Sequence, residues 1–194
     1  GKPVAAPSAN PSGQISPSTA DHVVHGLGKN AGFVLDGGPC KSGLESTIID
    51  CTDQTACLLR PGGITREAVA TALAEAGLDP TITIAKPLDD RAKPIAPGQL
   101  ISHYAPHATL RVAAETWQQG EEMIGFGKIH GAGKLRLNLS PSGNLIEAAA
   151  NLFSMLHAAD ATSTEKIAIA PIPNTGLGEA INDRLLRASA PRPD

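Results

Sequence analysis

Aromatic residues are scarce in this 194-residue chain, with one Trp, one Tyr and three Phe. Little material is left for the ring platforms on which single-stranded nucleic acids stack. A basic surplus is missing too. Sixteen Lys and Arg face 19 Asp and Glu, for a formal charge of −3, whereas a chain whose main task is holding a phosphate backbone carries a strong positive excess. The three cysteines, Cys40, Cys51 and Cys57, make neither an even set nor a C-x-x-C pair. They speak against a disulfide framework or a zinc knuckle and for a reducing cytoplasmic setting. No run approaches the ~18 apolar residues of a membrane span, and Gly1-Lys2-Pro3-Val4 lacks the character of a secretory signal. Without an initial Met, and with an apolar stretch from the outset, residue 1 reads as an interior position of a domain.

What the chain has in excess is Gly and Pro, 20 and 16 residues, nearly a fifth of its length against ~12% in average proteins. Such a surplus means many turns and close backbone approaches, the usual way loops meet small anionic ligands. Hydrophobic residues at 41% and charged residues at 18% fit a packed globular domain, or two small ones, and not a disordered chain.

Short strands and helices alternate through the first half. Lys2–Ala6 reads as a strand running into the turn-rich loop Pro7-Ser8-Ala9-Asn10-Pro11-Ser12-Gly13. Ser18-Thr19 caps a short helix carrying Val23, Val24 and Leu27, and Phe33-Val34-Leu35 reads as a strand. Thr47–Cys51 and Ala56–Leu59 form a hairpin, Thr65 caps a helix ending at Gly77, and Thr81–Ala85 closes this half. From 87 to 108 the texture changes to Pro and Gly without apolar periodicity, a linker expected to lie across a surface because it holds Tyr104, His103 and His107. Beyond it, Leu110–Val112, Met123–Phe126, Leu135–Leu139 and Ile167–Ala170 read as strands. Helices opening at Ser142 or Asn144 and spanning Gly176 to Ala188 complete a mostly parallel sheet covered on at least one face.

Three stretches carry candidate chemistry. The loop Ala6 to Gly13, with Ser16 following, offers hydroxyls and backbone N–H groups to phosphate or carboxylate oxygens, although alone it reads first as an ordinary turn. Glu45 and Ser46 sit where an apolar strand opens, a usual place for ligand contacts in α/β sheets and equally for strand-entry capping. Arg60 ends a strand directly before Pro61-Gly62-Gly63, suiting a bidentate phosphate contact, while an exposed Arg explains it as well. Ser8, His22 and Asp36 do not make a hydrolase, since no G-x-S-x-G elbow is present. His22, His25 and His157 read as ordinary surface residues of helices, and Gly125-Phe126-Gly127 and Gly131-Ala132-Gly133 fit no phosphate-loop fingerprint.

Together the motifs resemble a family. Lys2 to Asn10, Ser42-Gly43-Leu44-Glu45-Ser46-Thr47-Ile48-Ile49-Asp50 and Leu59-Arg60-Pro61-Gly62-Gly63 stand in the order of YrdC-like domains. Ala96-Pro97-Gly98 with His103-Tyr104-Ala105-Pro106, and the region through Asn182-Asp183-Arg184, resemble the C-terminal extension of its longer members, the Sua-type threonylcarbamoyl-AMP synthases. The resemblance implies the C-terminal part of a twisted YrdC-like α/β domain over 1–86, a strap over 87–108, and a smaller Rossmann-like α/β domain over 109–194. It implies synthesis of threonylcarbamoyl-AMP and pyrophosphate from ATP, L-threonine and bicarbonate, for a complex that modifies tRNA. Ala6 and Ser46 would contact threonine, and Ser8, Ser16, Arg60 and Tyr104 would contact ATP, with Asn10 and Glu45 as further candidates. Mg²⁺ is expected on the phosphates, with no carboxylate cage of its own. No membrane and no tight direct contact to nucleic acid are expected. The family's P-T-E-T-x-Y-G-L and K-x-R segments are absent from these residues, so the 194 residues alone are expected to be inactive. An RNA-binding or regulatory module without catalysis is the alternative.

Overall fold

The computed structural model describes residues 1–3, 6–86, 96–97, 102–129, 137–162 and 164–191. It contains two sheets. Strands β1 (Ile48–Asp50), β2 (Ala56–Arg60) and β3 (Ile82–Ile84) form the first, β1 antiparallel and β3 parallel to β2. The hairpin thus forms where its β-rich runs and the intervening Asp53-Gln54 place it. Along β2, Ala56, Leu58 and Arg60 are the buried positions. This period-two alternation puts the Arg60 side chain on the same inward face as its apolar neighbours. Helix α1 (Ala20–Leu27) precedes this sheet, its first turn capped by Thr19 Oγ1 accepting from the His22 N–H at 3.3 Å. Helix α2 (Arg66–Glu75) joins β2 to β3 and is capped in the same way by Thr65 at 3.2 Å.

The second sheet is all parallel, with strands β4 (Thr109–Arg111), β7 (Lys166–Ile169), β5 (Glu121–Gly125) and β6 (Leu137–Asn138) side by side in that order. Helices α3 (Leu145–Asp160) and α4 (Leu177–Ser189) pack against the sheet and against each other. Asn144 caps α3 by accepting from Ile146 and Glu147 N–H groups at 2.8 and 3.1 Å. The core lies here. Ile124, Leu139, Leu152, Leu156, Ile167, Ile169 and Ile181 are fully enclosed, and each fully buried aliphatic side chain contributes about 1.5–3 kcal/mol.

That core is not confined to the second sheet's own elements. Ile15 and Tyr104 are buried within it, and Leu44 packs on its margin. The Tyr104 and Phe153 rings stack with centroids 5.6 Å apart. Helix α3 buries Ala148, Ala149, Leu152, Phe153, Leu156 and Ala159, an apolar face broad enough for two partners, the sheet below and the loops from the first part above. At Gly43 the loop meets the helix backbone to backbone. A Cβ there would fall 2.1 Å from the Ala149 carbonyl oxygen, and φ is +66°.

Several expectations are corrected. Phe33-Val34-Leu35 is not a strand, and Phe33 and Leu35 are 85% and 84% exposed. No described strand lies beside them to complete a ladder, and β-propensity without a partner does not make a strand. Lys2, Pro3 and Ala6 are likewise not in a strand, while Val4 and Ala5 of that expected element lie outside the described residues. Helix α2 forms as expected after Thr65 and buries no residue. Residues 87–95 and 98–101 of the linker, the start of the strand expected at Leu135, and Gly131-Ala132-Gly133 also lie outside the described residues.

Replacing Gly43 by Ala forces both a left-handed non-glycine backbone and displacement of α3. Its expected cost is about 3 kcal/mol, read as a loss of unfolding free energy in chemical denaturation.

Candidate functional site

The loop before β1 is fastened to the end of β2 and the turn after it by a set of hydrogen bonds. Arg60 donates from Nε and Nη2 to the Ser46 carbonyl at 3.1 and 2.8 Å, and from Nη2 to Ser46 Oγ at 3.0 Å. The Gly63 N–H donates to the Glu45 carbonyl at 2.9 Å, and Thr47 Oγ1 accepts from Ile64 N–H at 3.0 Å. A side chain at Gly62 could not be accommodated, because a Cβ would lie 2.5 Å from backbone atoms of Glu45, Ser46 and Thr47. The result is a rigid corner with Ser46 exposed at its surface and a buried guanidinium beneath. Nη1 of Arg60 makes no hydrogen bond among the described residues, so it is the amino group that remains for an anion.

Glu45 is the hub of a second set of contacts. Its Oε1 accepts from Ser16 Oγ at 2.8 Å and its Oε2 from Arg184 Nε at 2.9 Å. Burial works to raise the Glu45 carboxyl pKa, but the charge and hydrogen bonds of Arg184 outweigh it and hold the group below its ordinary value. Arg184 comes from α4 and is completely buried. Its Nη1 donates to Asp183 at 2.7 Å, Asp183 in turn accepts from Arg187 at 3.0 Å, and Arg184 Cζ stands 5.3 Å from the Tyr104 ring centre.

The strap is stitched on both sides. The His103 N–H donates to the Arg187 carbonyl at 3.2 Å, and the Ala105 N–H donates to Gly13 at 2.8 Å, where Gln14 and Ala105 form a parallel bridge. Between these anchors Tyr104 adopts φ +63° with its ring buried, a backbone state rarely found for an aromatic residue and one held here by its surroundings. Burial chiefly raises the Tyr104 pKa, and burial likewise lowers that of His103.

Ser16, Glu45, Ser46, Arg60 and Tyr104 therefore gather in one region. Ser8 and Ala6 are exposed and make no described side-chain contact with it. Asn10 is turned into its own loop, its amide nitrogen donating to Gln14 O at 3.0 Å. The Ser16 hydroxyl is buried and already given to Glu45. Arg184 and Asp183 were missed as functional residues. The available signal was a charge on the apolar stripe of α4, where Ile181, Leu185 and Ala188 are the buried neighbours of Arg184. Buried charges in such positions need partners.

His22 and His157 are not the ordinary surface residues expected. Their rings stack with centroids 3.9 Å apart, joining α1 to α3, and His157 Nε2 lies 3.2 Å from the Ser16 carbonyl. They line a cavity of about 660 Å³ with His25, His107, Asp21 and Asp160. Among the described residues no cluster of three or more His, Cys, Asp or Glu has the arrangement of a metal site, and no helix is long and apolar enough to cross a membrane.

Residues 64–190 match the family described as threonylcarbamoyl-AMP synthase, C-terminal domain, and residues 1–62 match one described as telomere recombination. The chain is 34% identical to the threonylcarbamoyl-AMP synthase of Bacillus subtilis, the alignment covering 99% of this chain and 58% of that protein. It is 35% identical to the enzyme of that name from Pyrococcus abyssi, over 98% and 59%. The crystal structure of P. abyssi Sua5 complexed with L-threonine superposes with a TM-score of 0.76 at 30% identity, over 94% of this chain and 56% of that one. The chain spans somewhat under three fifths of the length of these relatives.

Burial lowers the pKa of both His22 and His157 below 6.5, opposed at His22 by Asp21. The unfolded chain therefore binds protons first, and the stabilisation held by the neutral pair above pH ~6.5 is lost as pH falls through the lowered values. Thermal unfolding midpoints are expected to drop as pH falls below about 6.5, and His157→Gln flattens that dependence.

Proposed function

This chain belongs to the threonylcarbamoyl-AMP synthase family, and on that premise we propose that it carries the threonine- and adenylate-binding corner of an L-threonylcarbamoyladenylate synthase. The observation that carries this reading is the clasp between Arg60 and Ser46, which presents an exposed hydroxyl and a guanidinium on one rigid corner with the buried strap residue Tyr104 nearby. L-Threonine bound to P. abyssi Sua5 in a related fold supports an amino acid ligand. Ser46 and Ala6 would hold threonine. Ser8, Ser16, Arg60 and Tyr104 would serve ATP, with Asn10 and Glu45 as supporting residues that fix the two loops.

In the proposed reaction, the threonine amine takes up bicarbonate with loss of water to give a carbamate. A carbamate oxygen then attacks the α-phosphorus of ATP, forming the mixed anhydride and expelling pyrophosphate. In such a displacement, positioning and neutralisation of charge supply most of the acceleration. Nη1 of Arg60, which makes no hydrogen bond among the described residues, would serve the second task. Ser46 would serve the first, its backbone fixed by the same guanidinium so that the ligand does not bear the cost of ordering it. The strap would exclude water from the labile anhydride. The two carboxylates of this region, Glu45 and Asp183, are both engaged by Arg184. These residues do not furnish a Mg²⁺ cage, so an accompanying ion would be carried by the phosphates. The product would pass to a tRNA-modifying complex in the cytoplasm.

The reading is tested by pyrophosphate release from ATP, L-threonine and bicarbonate in the full-length gene product. Arg60→Ala is expected to lower kcat/KM about 100-fold and Ser46→Ala about tenfold, the latter chiefly through the KM for threonine. Tyr104→Ala should weaken ATP binding about tenfold in calorimetry, or roughly 1.4 kcal/mol. No release by the wild-type protein would overturn the reading.

A further inference from the structure

Among the described residues the second α/β unit shows no catalytic constellation of its own, yet one of its side chains reaches the site. We infer that Arg184 is a positioning residue for the synthase site: from the second sheet's helix layer it sets the Glu45 carboxylate, and through it the Ser16 hydroxyl and the Ser46 corner. The inference rests on the function proposed above.

The link is continuous. Arg187 bonds Asp183, Asp183 bonds Arg184, Arg184 bonds Glu45 Oε2, and Glu45 Oε1 receives Ser16 Oγ, each step at 2.7–3.0 Å. Ser16 and Glu45 belong to the first part of the chain, and 139 positions separate Glu45 from Arg184. Glu45 is bonded to Ser46 by the peptide itself, and Arg60 holds Ser46 from the other side. A shift of the Glu45 carboxylate therefore moves both a proposed nucleotide-side hydroxyl and the proposed threonine-side corner.

The geometry of Arg184 is specific to a guanidinium. Its Nε and Nη1 address two different carboxylates, while its plane lies near the Tyr104 ring at 5.3 Å. A Lys ammonium in its place is a point charge without the planar fork and does not reproduce that spacing. Burial sharpens the constraint, because a fully enclosed charge keeps its partners or loses the arrangement. Nη2 of Arg184 has no hydrogen-bond partner among the described residues, and the carboxylates that bond its guanidinium there are Glu45 and Asp183. The packing around the pair is equally unforgiving, with Gly43, two residues from Glu45, pressed onto the α3 backbone.

The experiment uses the full-length gene product with Arg184→Gln, Arg184→Lys, Glu45→Gln and the Glu45→Gln/Arg184→Gln pair. Arg184→Gln is expected to reduce kcat/KM at least tenfold, with the KM values for ATP and threonine rising together. Arg184→Lys is expected to recover less than a third of the loss. The pair should be no more than twofold worse than the poorer single variant, because both break one link. Leu185→Val, a neighbouring core change outside the site, measures what lowered stability does by itself. Equal losses in Leu185→Val and Arg184→Gln at matched melting temperature, or additive losses in the pair, overturn the inference. Should Arg184→Gln not fold, Glu45→Gln cuts the same link from its more exposed end, and unchanged kinetics there overturn it as well. If the wild-type protein releases no pyrophosphate, the functional reading fails separately. The positioning role is then read from a crystal structure of Arg184→Lys, where a Glu45 still bonded to Ser16 and in place refutes it and a displaced Glu45 upholds it.

Discussion

A guanidinium with no exposed surface, Arg184, lies between the apolar interior of the second sheet's helices and a carboxylate from the other half of the chain. Removing such a pair from water costs several kcal/mol per ion before any attraction is counted. The cost is offset only where hydrogen bonds are short and partners are fixed, as the contacts to Glu45 and Asp183 are. The pair therefore contributes little net stability and a great deal of selectivity among packings. A loop displaced by one residue would strand a buried charge, at a penalty of roughly 3–5 kcal/mol. The close approach at Gly43 and the buried strap residue Tyr104 are both compatible with the one arrangement in which that charge is satisfied.

Much of the framework could be read from local pattern. Thr19, Thr65 and Asn144 cap helices because a short oxygen-bearing side chain stands just before each apolar period. The hairpin followed from two β-rich runs around Asp53-Gln54, and the parallel sheet from strands spaced by helices. Part of the site was legible for the same reason. Ser46 and Arg60 flank paired strands, and antiparallel pairing of β1 with β2 brings them together, the Ile48–Arg60 register being its last step.

Other features depend on contacts between distant segments and leave only faint marks in the sequence. Nothing local distinguishes His22 and His157 from surface histidines, since their stacking is made by two helices 135 positions apart. Arg184 shows itself only as a charge out of place on an apolar stripe. Phe33-Val34-Leu35 has the composition of a strand, and its exposed side chains show how far composition falls short when no edge is at hand to pair with. Ser16 stands after a hydroxyl-rich loop, and no local pattern announces its bond to Glu45, 29 positions further along the chain.

The burial of Ile15, Leu44 and Tyr104 against the second sheet's core bears on what can count as a module here. Excising residues 109–194 by their sequence boundary would leave a hollow lined by Phe153 and its neighbours, and an arginine deprived of one of its two carboxylate partners. Evolutionary recombination at that boundary would meet the same obstacle. The heritable unit is thus wider than the stretch of chain that encodes the sheet, and any shuffled descendant must carry the strap and both upstream loops along with it.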